Sequence, residues 1–155
     1  VRFKMQSIIK SQALKLIHDE HHPVKIFVAP TMKFMEWRVA IQTESYDYVG
    51  RAYGRNITFS DKVKRQQFSS DTLLWQIKSN PEIRTFLKFS SIYRWQIRKL
   101  DDQTTEIRLI DLRYLNKGHY SFAAIAHLTQ DQKIDHSYIG WVFTEEKLQK
   151  KLYSH

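Results

Sequence analysis

Hydrophobic positions along this chain follow two periods, and the switches between them divide it into elements. From Met35 to Gln42 the pattern alternates, with Met35, Trp37, Val39 and Ile41 on one side and Glu36, Arg38, Ala40 and Gln42 on the other. That is the signature of a half-buried antiparallel strand. Before it, the apolar run Ile26-Phe27-Val28 is closed by Pro30, which has no N–H to give to a ladder. Strands are expected at about 24–29, 34–43 and 46–54, the latter two joined through Glu44-Ser45, with a short fourth from Asn56 to Phe59. Ahead of them, residues 3–20 read as an amphipathic helix. Met5, Ile9, Ala13 and Ile17 recur at every fourth position with Leu16 beside them, Lys4, Lys10 and Lys15 keep largely to other faces, and His21-His22-Pro23 ends the run.

The period then lengthens. Ser70-Asp71 caps a helix containing Leu73, Leu74 and Ile77, and Asn80-Pro81 starts another containing Ile83, Phe86 and Leu87. Alternation returns in Tyr93, Trp95 and Ile97, in Ile107 and Leu109, in Tyr120, Phe122, Ala124 and Ala126, and in Tyr138, Gly140 and Val142. Turn chemistry joins these runs at Asp101-Asp102-Gln103, Asn116-Lys117-Gly118 and Gln130-Asp131-Gln132. Thr144-Glu145-Glu146 opens a terminal helix with acids at its start and lysines towards its end, as the helix dipole favours. The fold class that follows is α+β. A single soluble domain over 1–155 carries one antiparallel sheet of about seven or eight strands, with an N-terminal amphipathic helix, a central helical insertion and a C-terminal helix. Trp37, Val39, Ile41, Trp95, Ile97, Phe122 and Ala124 are expected to share its core.

Composition narrows the function classes. There is no cysteine among the 155 residues, which excludes disulfides, thiolate metal sites and a thiol nucleophile. No apolar run approaches the roughly 18 residues that span a bilayer. The net charge is +9, but the cations are dispersed and no RRM, KH or zinc-finger signature accompanies them, so nucleic acid is an unfavoured partner. Arg2, Lys4, Lys10 and Lys15 form an acid-free run at the start, a candidate membrane-facing surface.

Few motifs carry chemistry. His18 and His22 stand four apart at the end of the first helix, a weak metal pair that lacks the acid placement of a helical zinc-protease motif, so no metal site is expected here. Asp111-Leu112-Arg113-Tyr114 is sharper: within a strand, Asp111 and Arg113 project on one face at the end of the stripe begun by Ile107 and Leu109. Charges so placed need partners, and Arg38, on the face of its strand opposite Trp37, is one candidate. His119 and His127 read as independent, Ser90-Ser91 has no adjacent base, and no Gly-x-Ser-x-Gly or phosphate loop is present.

Together, Ala29-Pro30-Thr31, Glu36-Trp37-Arg38-Val39, Tyr48-Val49-Gly50 and Asp111-Leu112-Arg113-Tyr114, with Gly118-His119-Tyr120-Ser121-Phe122 and Gly140-Trp141-Val142, resemble the C-terminal soluble part of the YdjM/YfhP-type bacterial inner-membrane proteins. These are commonly described as membrane-bound metal-dependent hydrolases. The resemblance implies several membrane helices ahead of this segment, with any divalent metal held there. The start at Val1 rather than Met fits a C-terminal piece of a longer membrane protein. Residues 1–20 then become a juxtamembrane helix at the cytoplasmic face of the bacterial inner membrane, whose partners are the membrane-embedded part of its own chain and an anionic lipid surface. The resulting expectation is an accessory sensing, docking or substrate-shaping module of such a hydrolase, with no hydrolase activity of its own. The alternatives are a stand-alone hydrolase or phosphate- or lipid-binding domain using Arg38, Asp111 and Arg113, flanked by Trp37 and Tyr114, and a nucleic-acid-binding domain.

Overall fold

The structure, a computed structural model, describes residues 2–17, 23–68, 70–115 and 121–154. Its elements run α1 (Arg2–Ile17), β1 (Pro23–Pro30), β2 (Glu36–Thr43), β3 (Tyr46–Tyr53), β4 (Asn56–Lys64), α2 (Asp71–Lys78), α3 (Pro81–Phe89), β5 (Tyr93–Lys99), β6 (Thr105–Asp111), β7 (Ser121–Leu128), β8 (Ile134–Val142) and α4 (Glu145–Leu152). The class is α+β, as the periodicity predicts. The single sheet is not: β1-β2-β3-β4 and β5-β6-β7-β8 are two separate antiparallel sheets in sequence order. They belong to two compact units, Val1–Arg65 and Gln66–His155. The physical reason is that alternation reports which face of a strand is buried, not which strand lies beside it.

In the first unit α1 covers one face of the sheet. Its every-fourth stripe Ile9, Ala13 and Ile17 packs on Val28, Trp37, Val39, Ile41, Tyr48 and Ala52. Leu16, expected beside that stripe, is exposed. β2 begins one residue later than its alternation suggests, because Met35 takes a positive φ of 57° and leaves the strand. β3 turns into β4 through Gly54-Arg55, a two-residue connection with Gly54 at φ 58°, the position where such hairpins favour glycine. A bulge at Val49/Gly50 lets β4 run on to Lys64, past the expected Phe59. Gly50 is obligatory there: a Cβ would stand 2.4 Å from the Thr58 carbonyl oxygen.

In the second unit the sheet is covered on both faces. Ile77 of α2 and Ile83 and Phe86 of α3 pack on Ile107, Leu109, Ala124, Ala126 and Leu128, with Trp95 and Phe122 partly buried beside them. On the other face Leu148 and Leu152 of α4 pack on Ile125. The expected single core is therefore two: Trp37, Val39 and Ile41 belong to the first, and Trp95, Phe122 and Ala124 to the second, while Ile97, expected with them, is only half-buried and belongs to neither. Local capping explains where the helices start. Ser70 accepts from the Leu73 N–H at 3.3 Å, Asn80 from Glu82 and Ile83 at 3.1 and 3.2 Å, and Thr144 from Lys147 at 3.2 Å.

Candidate functional site

Three polar constellations stand out, and the sequence singled out only part of them. Asp111 and Arg113 do pair, but not across one face of a strand. β6 ends at Asp111, and Arg113 lies in the turn that follows. The fully buried Asp111 carboxylate accepts from the Arg113 guanidinium at 2.6–3.1 Å and from its backbone N–H at 2.9 Å. Arg113 also donates to the Phe89 carbonyl at 3.0 Å, and its guanidinium sits over the Phe89 and Tyr114 rings. The Asp111 hydrogen bond, outweighing burial, raises the guanidinium's pKa. Tyr114 in turn meets Trp141 edge-on at 5.1 Å, and Trp141 meets Phe122. This constellation anchors the loop after β6. Trp37 and Arg38 belong to the first unit: Trp37 is in the core, and Arg38 sits on the opposite face of β2, between Ala29 and Arg51. His18 and His22 lie outside the described residues.

The second constellation was not legible in the sequence. Strand register places Arg98, Glu106, His127 and His136 in one row across β5 to β8. Glu106 and His127 are both 2% exposed, and Glu106 Oε2 lies 3.1 Å from His127 Nε2. The other ring nitrogen, Nδ1, is 2.6 Å from the Tyr153 hydroxyl at the end of α4. Arg108 donates to Glu106 at 2.9 Å and forks to Glu145 at 2.9 and 3.2 Å. Burial pushes the Glu106 carboxyl up, but the His127 hydrogen bond and the Arg108 and Arg98 charges outweigh it and hold the pKa down at about 2. An ionised Glu106 only accepts, so His127 Nε2 donates to it, and Nδ1 shares a second hydrogen bond with the Tyr153 hydroxyl. Glu106, His127 and Tyr153 are thus bonded in series, while Arg108 Nε is buried without a hydrogen-bond partner among the described residues. The geometry is that of an acid, a base and a hydroxyl in series, yet burial and the Asp135 and Glu106 charges raise the Tyr153 pKa, which is the wrong direction for a nucleophile. The network clamps α4 to the sheet.

The third lies at one end of the first unit, where β1 turns into β2. Met32 and Phe34 at the hairpin tip are 105% and 90% exposed, with Met35 half-exposed and Lys33 between them. The Gly54 N–H bonds to the Met35 carbonyl at 3.4 Å, which sets the β3–β4 turn and Arg55 beside the tip. Arg55 shares a shallow groove with Lys4 of α1, so the first turn of α1, with exposed Arg2 and Phe3, reaches the same end. The acid there is already occupied. Glu36 is buried and accepts from the Tyr53 hydroxyl and from Thr31 at 3.0 Å, and the Tyr53 bond, working against burial, leads in holding its pKa low. Of the membrane-facing candidates, Arg2, Lys4 and Lys15 are exposed and Lys10 is half-buried.

Comparison with known proteins agrees with this two-part build. The YfhP middle domain model matches residues 20–63, and the model described as the YfhP C-terminal alpha/beta plait domain matches residues 72–152. The chain is 43% identical over 152 residues to a Bacillus subtilis (strain 168) protein named "Uncharacterized protein YfhP", which covers 98% of this chain and 46% of that protein. It thus spans about half the length of the curated relative it matches. No solved structure matches it. These findings correct the functional expectation drawn from the resemblance. Neither family description nor the relative's name carries a hydrolase activity. Among the described residues no helix is long and apolar enough to cross a membrane, and no three His, Cys, Asp or Glu side chains converge as a metal site. The reading as an accessory domain of a membrane-bound metal-dependent hydrolase is overturned, and the kinship that stands is narrower: the chain belongs to the YfhP family.

Proposed function

We propose that the first unit is a docking module that attaches peripherally to an anionic lipid surface. The observation that carries this reading is the pairing of bare apolar side chains, Met32 and Phe34, with cations around them and no unoccupied acid among the described residues at that end. Residues 1–65 also hold twelve of the chain's 25 Lys and Arg but six of its 16 acids, so this unit contributes +6 of the net +9. Peripheral attachment asks for no spanning segment. Each cation close to an acidic bilayer is worth about 1 kcal/mol, and a Phe or Met moved fully out of water about 1.5–3 kcal/mol. Insertion of a tip is partial, so Met32 and Phe34 together supply on the order of 2 kcal/mol, or roughly 30-fold in affinity.

Vesicle co-sedimentation of the whole chain tests it. The protein should bind vesicles containing an anionic lipid, release as salt rises, and bind roughly 30-fold more weakly as the Met32→Ser, Phe34→Ser double variant. Equal binding to neutral vesicles, or a double variant indistinguishable from the parent, overturns the reading. Salt-sensitive capture of nucleic acid that ignores the double substitution assigns the cations to another partner.

A further inference from the structure

We infer that the groove between α1 and the β3–β4 turn is a phosphate-binding site, a proposal that deepens the lipid-surface reading by naming the group recognised there. The groove is lined by Lys4, Ser7, Ile8, Ser11 and Gln12 of α1 and by Arg55, with a volume of about 480 Å³. Lys4, Ser7 and Ser11 stand three and four residues apart, so they follow one line along the helix. The lining contains no acidic side chain, and neither Lys4 nor Arg55 has an acidic partner among the described residues. Two like charges therefore share one depression, with hydroxyls and an amide between them and nothing to neutralise them. An anion relieves that repulsion.

The backbone positions of the two cations are set separately. α1 is pinned because Ile9 and Ala13, the neighbours of this polar line, are fully buried in the core. Arg55 sits in a two-residue hairpin turn whose Gly54 has the positive φ such a turn requires. The donor set favours phosphate over carboxylate. A guanidinium fork, an ammonium, two hydroxyls and a carboxamide outnumber what two carboxylate oxygens accept, whereas a phosphate monoester offers three oxygens and close to two charges. Arg55 ties the groove to the end that carries Met32 and Phe34, because its turn is bonded to the tip through the Gly54 N–H and the Met35 carbonyl. A lipid headgroup and a free phosphomonoester present the same chemistry, and the test separates them.

Amide chemical shifts of the full chain are followed during titration with glycerol 3-phosphate at constant ionic strength, against acetate as the carboxylate control. Saturable shifts at Lys4, Ser7, Ser11 and Arg55 are expected with the phosphate and not with acetate. Arg55→Gln, at an exposed turn, should weaken the interaction about tenfold, and Lys4→Gln should act in the same direction. The Met32→Ser, Phe34→Ser variant should keep soluble phosphate binding while losing vesicles. In the vesicle arm, bilayers carrying phosphatidic acid should outcompete bilayers made equally negative with a fatty-acid carboxylate, and Arg55→Gln should erase that preference. Shifts that are absent, that acetate reproduces, or that survive Arg55→Gln and Lys4→Gln unchanged overturn the site. If glycerol 3-phosphate binds as described while the parent protein ignores every vesicle, the phosphate site stands and the lipid-surface reading fails.

Discussion

Replacing Glu106 by Gln tests the clamp between α4 and the second sheet, because it removes the charge while keeping the shape. In the folded protein this carboxyl titrates at about 2 against an ordinary value of 4.5. Each unit of difference corresponds to about 1.4 kcal/mol, so the ionised form contributes on the order of 3 kcal/mol to stability. The sign follows from the direction of the shift. A depressed carboxyl stabilises the fold fully above about pH 4.5 and progressively less as pH falls towards 2. Other carboxylates are also held below their ordinary value, Glu145 by its Arg108 hydrogen bond among them, so the informative quantity is the difference between parent and variant. Urea unfolding is best followed by resonances of β6 and β7, since a chain of two units does not guarantee one transition. We expect Glu106→Gln to be less stable by about 3 kcal/mol near neutral pH, with the gap closing as the parent approaches pH 2. A gap that stays constant between pH 2 and 7 refutes the electrostatic account and leaves only packing.

Two further outcomes concern the cores. Phe86 is fully buried, stacked on Phe122 with ring centroids 5.7 Å apart and edge-on to Tyr93 at 5.9 Å; Phe86→Ala should cost about 3–5 kcal/mol in urea unfolding read from resonances of the second unit, and a cost below about 1 kcal/mol contradicts the packing. Gly50→Ala forces a methyl within 2.4 Å of the Thr58 backbone oxygen, so resonances of β3 and β4 should report a loss of about 1–3 kcal/mol or a rearranged bulge; an unchanged midpoint argues against the bulge.

What the sequence determines by itself is what is local. The starts of α2, α3 and α4 were legible because a cap is a contact over two or three residues: Ser70 with Leu73, Asn80 with Glu82 and Ile83, Thr144 with Lys147. Strand existence was legible because alternation is a property of one segment, and Asp111 with Arg113 was legible as a charge pair because they stand only two positions apart. Tertiary structure decided everything that depends on which distant segments meet. It divided eight strands into two sheets, since a strand's pattern shows its buried face and not its neighbour. It joined Glu106 to His127 across 21 residues and His127 to Tyr153 across 26, with no spacing in the chain to announce either contact. It left Met32 and Phe34 in water at a hairpin tip, where hydrophobicity alone predicts burial, and it brought Arg55 to Lys4 through the packing of α1 on a sheet. Hydrophobic period is set by the chain's own geometry, one residue after another, whereas exposure and charge pairing are set by where the chain returns upon itself.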